Sequence, residues 1–266
     1  MEEKLRINKY LSQCGVCSRR EADRMIENGM ILINGKKAVK GDMVQAGDCV
    51  MAEGRQVKRQ EKEIVIAFHK PAGVVCTSSR KEKNNIIDFL SFPERIYPVG
   101  RLDKDSTGLI LLTNNGQLMD DILRGSNYHE KEYVVTLNRP MTPEVLAAME
   151  QGVPILDTMT RPCRITHRQG AKFHIILTQG LNRQIRRMCE YFGYRVRILK
   201  RIRVMNICLD DLPEGQWRYL TEQEIARLKR ECNKKVVNRE NRESVRKRGN
   251  DGTGSTAHEG ARKPVK

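Results

Sequence analysis

Val99-Gly-Arg-Leu-Asp-Lys-Asp-Ser-Thr-Gly-Leu-Ile-Leu-Leu-Thr-Asn-Asn-Gly116 sets two carboxylates, Asp103 and Asp105, in a polar loop bounded by Gly100 and Gly108. The loop runs into Leu109-Ile-Leu-Leu112, an unbroken apolar run that predicts a strand buried on both faces. Such a strand is a rigid base on which one carboxylate can be held at a fixed angle. An acidic loop ahead of a core strand is by itself ordinary. Cations and aromatics elsewhere in the chain supply the partners a catalytic carboxylate needs, and they turn the reading toward chemistry.

Upstream, Ile64-Val-Ile-Ala-Phe68 has strand composition and is stopped by Lys70-Pro-Ala-Gly73, where Pro and Gly force a turn. Asn84–Leu90 predicts a short helix. Downstream, Gln117–Leu123 predicts a helix with Leu118 and Ile122 inward, Lys131–Leu137 a strand, and Pro143–Gln151 a helix. Strands follow around Cys163–Ile165 and Phe173–Leu177. In Gln179-Gly-Leu-Asn-Arg-Gln-Ile-Arg-Arg-Met-Cys-Glu-Tyr-Phe-Gly-Tyr194, Asn182 is placed to start a helix that turns Ile185, Met188, Cys189 and Phe192 inward. Arg183, Arg186 and Arg187 load its first turns. They oppose the helix dipole there at a cost of about 0.3–1 kcal/mol each, so an anionic partner is expected beside them. From Arg195 to Leu209, Val196, Ile198, Ile202 and Val204 alternate with basic residues, which predicts strands with one core face and one basic face. Thr221-Glu-Gln-Glu224 opens a final helix.

Residues 4–57 read as a separate module. Ile7, Tyr10, Leu11 and Cys14 recur at helical spacing, and Gly15 ends that helix. Ser18-Arg-Arg-Glu21 is a capping box, followed by Ala22, Met25 and Ile26 on one face and a stop at Gly29. Ile31-Leu-Ile33 then leads to Asn34-Gly35, the signature of a tight hairpin. Arg19, Arg20 and Arg24 fall on the polar side of the second helix, with Lys36 and Lys37 just past the turn. This basic surface can follow phosphate strands. The polar run Arg55–Lys62 predicts a tether, which divides the chain into residues 1–60, 61–232 and 233–266.

The 266 residues carry a formal charge of +16, which favours a polyanionic partner. No apolar run approaches the roughly 20 residues of a membrane span, and Met1-Glu-Glu-Lys4 opens no signal peptide. Nucleic acid in the cytoplasm is therefore expected rather than a membrane. The eight cysteines have no framework spacing, and Cys14-Gly-Val-Cys17 lacks a second half-site. Reduced thiols without zinc are expected. The segment from Asn233 holds ten Lys/Arg against four Asp/Glu and no aromatics, the composition of a disordered basic tail.

Gly100-Arg-Leu-Asp-Lys-Asp-Ser-Thr-Gly-Leu109 resembles the catalytic motif of the pseudouridine synthases. Lys70-Pro-x-Gly73, Lys131-x-Tyr133 and Arg183-Gln-Ile-Arg186 resemble their companion motifs. The order Arg6-Ile-Asn-Lys-Tyr-Leu11, Cys17-Ser-Arg-Arg-Glu-Ala-Asp23 and Ile33-Asn-Gly-Lys36 resembles the ribosomal-protein S-four-like RNA-binding domain. The likeness runs from Lys4 to about Leu228 and is closest to the RluF type of the RsuA-like group. It implies an α+β protein with a small RNA-binding domain, then a mixed, mainly antiparallel sheet with flanking helices.

The activity so implied is isomerisation of a uridine to pseudouridine in ribosomal RNA. The expected substrate is 23S, with 16S ribosomal RNA or a tRNA anticodon loop left open. The resemblance further implies a bacterial, monomeric enzyme that needs no cofactor or metal. It assigns Asp103 as nucleophile or base, Arg186 as its ion-pair partner and Tyr133 as the platform under the target uracil. Arg101 is the candidate to fill the space the base vacates, while Arg183 and Arg187 take RNA-backbone or packing contacts. The basic module and tail alone would fit a non-catalytic RNA-binding or ribosome-assembly factor equally well; the joint presence of Asp103, Tyr133 and Arg186 separates the two.

Overall fold

A computed structural model describes residues 4–58, 62–79, 81–124, 126 and 128–233. The basic tail expected from Asn233 therefore lies outside the described residues beyond its first position.

The N-terminal unit comprises β1 (Leu5–Arg6), α1 (Ile7–Gln13), α2 (Arg19–Glu27), β2 (Ile31–Ile33), β3 (Lys36–Lys37), β4 (Met43–Val44), β5 (Val50–Ala52) and β6 (Arg55–Gln56). β1 pairs with β4, and the rest form a sheet of order β3-β2-β5-β6. Ser18 caps α2 by accepting the Glu21 N–H at 3.1 Å. The Glu21 carboxylate turns to Arg24, 3.2 Å away, so half of the predicted box is built. Asn34 and Gly35 take φ of 51° and 78°, the positive pair a two-residue hairpin requires. The two helices bury Ile7, Leu11, Ala22 and Ile26 against Ile31 and Val50. Val57 joins this core and Arg55–Gln56 pairs with β5. Arg55–Val57 thus belongs to the small unit rather than to a tether, because its backbone completes a sheet edge. Residues 59–61 of that expected tether lie outside the described residues.

The second unit runs through β7 (Val65–Lys70), α3 (Ile86–Leu90), β8 (Tyr97–Pro98), β9 (Thr107–Thr113), α4 (Gly116–Leu123), β10 (Lys131–Leu137) and α5 (Pro143–Gln151). It continues with β11 (Pro154–Ile155), β12 (Thr158–Met159), β13 (Arg164–Gln169), β14 (Lys172–Leu177), α6 (Gln184–Tyr191), β15 (Val196–Val204), β16 (Ile207–Cys208) and β17 (Trp217–Tyr219). A final helix spans 222–233, opened by a reciprocal cap in which Thr221 and Glu224 each accept the other's N–H, at 3.2 and 2.8 Å.

The main sheet has the order β13-β14-β10-β15-β9-β7-β17, with β8 beside β9 and β16 beside β15. β9 and β15 run parallel; the other described pairs are antiparallel. The Leu109–Leu112 run lies at the heart of β9, as its composition requires, and is fully buried. Leu109 and Leu111 pack with Leu118 and Ile122 of α4 and with Leu228, while Ile110 and Leu112 pack with Ile86 of α3. A third core lies between α5, α6 and strands β10, β14 and β15. Alternate residues of one strand thus anchor two separate cores.

β15 departs from simple alternation. Its register against β10 shifts once between Glu132 and Tyr133 and again between Thr136 and Leu137. Each bulge inserts one residue and reverses which side chains face inward. Ile198, expected in the core, is therefore 57% exposed, while Arg201 is 3% exposed. At the parallel join Gly108 has φ +107°, and a Cβ there would fall 2.2 Å from the Arg201 carbonyl oxygen. Only glycine permits that approach.

Candidate active site

The Asp103 loop is clamped before any partner reaches its carboxylate. Lys70 is fully buried at the end of β7, and its Nζ donates to the carbonyls of Pro71, Val74 and Lys104 at 2.7, 2.9 and 3.3 Å. Burial lowers the pKa of this ammonium, with nearby Cys76, Asp105 and Asp103 acting against that shift. Gly73 N–H also bonds the Lys104 carbonyl at 2.8 Å, and Ser106 N–H closes a turn on the Asp103 carbonyl at 3.1 Å. The Lys-Pro-x-Gly turn therefore holds the loop through its backbone.

Two guanidiniums meet the carboxylate. Arg183 Nη1 lies 3.5 Å and Arg186 Nε 3.8 Å from Asp103 Oδ2. Arg186 also donates weakly to the Ser106 hydroxyl and the Val196 carbonyl, both at 3.4 Å. The anion expected beside the arginine-rich helix start is thus supplied by the chain itself. The helix start differs from the expected one. Arg183, with φ 50°, occupies the N-cap position without a side-chain cap; Asn182 instead accepts from Arg187 through its carbonyl at 3.1 Å and its side-chain oxygen at 3.4 Å. That geometry turns Arg183 toward Asp103 and ties Arg187 to its own loop. Asp105 is exposed and lies outside the described ion pairs.

A cavity of about 440 Å³ opens beside Asp103, within the range of small-ligand sites, roughly 300–1,000 Å³. Tyr133, Lys131, Arg101, Arg183 and Arg201 line it together with Asp103. Tyr133 is half-buried against two of the cores and has the Arg201 guanidinium carbon 5.9 Å from its ring centre. Arg186 contacts Asp103 without lining the cavity, while Arg101 lines it and is exposed. Arg19, Arg20, Arg24, Lys36 and Lys37 are all exposed in the small unit, away from this cavity. Ser12 and Tyr97 hydroxyls meet across the two units at 3.2 Å.

Arg201 is not legible as a site residue in the sequence, because the bulges in β15 hide it. Lys131 is legible only as the first position of the Lys131-x-Tyr133 motif, with no role of its own. Burial, and then the Arg201 charge, lower the Lys131 pKa to about 8 from 10.5. A lysine depressed in the folded state binds fewer protons there than when unfolded, so its penalty is full below about pH 8 and vanishes above 10.5. Lys131→Met should gain stability over wild type below about pH 8, and the gain should fade as pH rises toward 10.5. Urea denaturation across that range measures it; a pH-independent difference would refute the assignment.

The sequence model for RNA pseudouridylate synthase matches residues 64–191, and that for the S4 domain matches residues 5–50. The dual-specificity RNA pseudouridine synthase RluF of Salmonella typhi is 53% identical over 225 residues, covering 84% of this chain and 78% of that protein. The ribosomal large subunit pseudouridine synthase B of Bacillus subtilis is 32% identical over 233 residues, 84% of this chain and 95% of that protein. A crystal structure of a pseudouridylate synthase superimposes with a TM-score of 0.63 at 29% identity, covering 84% of this chain and 99% of the other.

Proposed function

The chain belongs to the RNA pseudouridylate synthase family, and from that premise we propose that it isomerises a uridine of 23S ribosomal RNA, with Asp103 as the reacting carboxylate. The carrying observation is that one carboxylate, faced by Arg183 and Arg186, borders a cavity that Tyr133 also lines. The alternative of a non-catalytic RNA-binding or ribosome-assembly factor gives way to an enzyme. Among the described residues no helix is long and apolar enough to cross a membrane, which fits the proposal of a cytoplasmic enzyme; we take it to act as a monomer.

The target must leave its stack, because C1′ and C5 are inaccessible within a helix. The cavity receives the flipped nucleotide and Tyr133 supplies a stacking surface. Asp103 then acts as nucleophile or base while C1′–N1 breaks, the uracil turns and C5 joins C1′. Arg186 and Arg183 hold the carboxylate's orientation. Arg101, exposed in the cavity lining, fills the space left in the RNA, and Arg187 fixes the loop that carries Arg183. Mapping pseudouridine in total RNA from cells with and without the protein tests the reaction and identifies the uridine. Identical maps from the two cells would refute it. The dual specificity of the Salmonella relative favours a second RNA substrate, for which 16S ribosomal RNA and a tRNA anticodon loop both stand open.

The small unit has its own core, so its contribution is separable. With residues 1–57 removed, the RNA concentration for half-maximal rate should rise while the saturated rate changes little. Each phosphate no longer neutralised by Arg19, Arg20, Arg24, Lys36 or Lys37 should flatten the slope of log affinity on log salt by about 0.7–0.9. A truncated protein with the full-length slope would show that this unit does not grip phosphates.

A further inference from the structure

Arg201 is a buried cation without a counter-ion. It is 3% exposed, and among the described residues no carboxylate lies within ion-pair distance of it. Its Nε donates to the Leu109 carbonyl at 2.7 Å and its Nη1 to the Arg101 carbonyl at 3.5 Å, while Nη2 is buried with no partner. Lys131, a second cation, stands close enough for each charge to feel the other. Among the described residues lining the cavity Asp103 is the one acidic group, and it already faces Arg183 and Arg186. An unpaired buried charge is costly, and a donor left unsatisfied adds to that cost. A group that arrives with the substrate can offset both.

The reaction supplies such a group. When C1′–N1 breaks, its electron pair leaves with the base, giving a uracil anion delocalised over N1, O2 and O4. The electron deficiency at C1′ is met by a bond to the Asp103 carboxylate or by loss of the C2′ proton to it. C5 then bonds to C1′ as the Asp103–C1′ bond breaks, or as Asp103 returns the proton to C2′; C5 releases its proton and N1 takes one up, so the product is an isomer. The uracil is anionic only in between. Arg201 and Tyr133 line the same cavity, and the guanidinium carbon lies 5.9 Å from the Tyr133 ring centre, so a base packed on Tyr133 has this guanidinium as a neighbour.

Resting on the family's reaction, we propose that Arg201 is a catalytic residue that donates Nη2–H to a carbonyl oxygen of the detached uracil and stabilises its negative charge. A preorganised donor aimed at charge that develops during reaction is among the strongest catalytic devices. Arg201 also braces the backbone at Leu109 and Arg101, so a simple loss of rate would not separate the two roles. A substrate whose base is intrinsically a more stable anion does separate them.

The full-length protein, Arg201→Met and Arg201→Lys are compared in single turnover on one RNA carrying either uridine or 5-fluorouridine at the target. Fluorine withdraws electrons and stabilises the detached base. Arg201→Met should slow loss of uridine by about 100–1,000-fold, and its effect on 5-fluorouridine should be at least about tenfold smaller. Arg201→Lys should recover part of the uridine rate. Equal losses on the two bases would overturn the proposal and leave Arg201 a brace. If Arg201→Met does not fold, the ratio of losses in Arg201→Lys decides the question. Wild-type conversion of uridine in the same assay tests the family's reaction separately: its failure would overturn that reading, whereas equal losses with an active wild type overturn only the role of Arg201.

Discussion

Asp103→Asn should lower pseudouridine formation by at least about a thousand-fold while changing RNA affinity by no more than a few-fold. The substitution keeps the size of the side chain and the backbone turn that Ser106 closes on the Asp103 carbonyl. It removes the charge facing Arg183 and Arg186 and with it any ability to add to a sugar carbon or take a proton. Asp105→Asn is the internal control. That carboxylate is exposed in the same loop, and its loss should cost no more than a few-fold in rate. Pseudouridine formation in single turnover and filter binding of the same RNA measure the two quantities. Equal loss of activity in the two variants would refute the choice between the carboxylates.

Gly108→Ala should be the most damaging single methyl in the second unit. The new Cβ would lie 2.2, 2.6 and 2.9 Å from the carbonyl oxygen, nitrogen and carbonyl carbon of Arg201. Backbone cannot swing aside as a flexible side chain can, and φ of +107° strains any residue with a Cβ. The parallel join between β9 and β15 must open, which places the cost at roughly 4 kcal/mol or more. Gly116→Ala, at the start of α4, meets nothing within 4 Å and should be neutral or stabilising by about 0.4–1 kcal/mol. Urea denaturation of both variants checks the contrast. A stable Gly108→Ala protein would mean that the two strands are not held as described.

The parts of this architecture governed by neighbours in the chain are legible in the sequence. Leu109–Leu112 declares a strand because a run of four apolar residues has no face to give to water. Pro143–Gln151 and Lys131–Leu137 coincide with α5 and β10, since caps and β-branched composition act locally. Asp103, Tyr133 and Arg186 are visible through the motif resemblance, and the basic helix start shows only that an anion is needed beside its arginines. Long-range register is not legible. Two bulges in β15 send Ile198 outward and Arg201 inward, and a bulge is decided by the pairing strand. The cap at Arg183 escapes for a similar reason: its left-handed backbone is stabilised by contacts across the site. The three residues Arg55–Val57 are too short a pattern to betray a sheet edge.

The pieces that hold Asp103 come from opposite ends of the second unit. Lys70 precedes it, whereas Arg183, Arg186 and Arg201 follow by about 80 to 100 residues. At roughly 5–20 residues per second of synthesis, the ribosome needs about 5–20 s to proceed from the carboxylate to the last of them. A chain still being made during that interval carries a complete nucleic-acid-binding head and an Asp103 without its cations. On the proposed mechanism it can touch RNA but cannot alter it. An aborted chain ending before Arg183 should be inert for the same reason, which would confine modification to molecules whose synthesis has passed the whole central sheet.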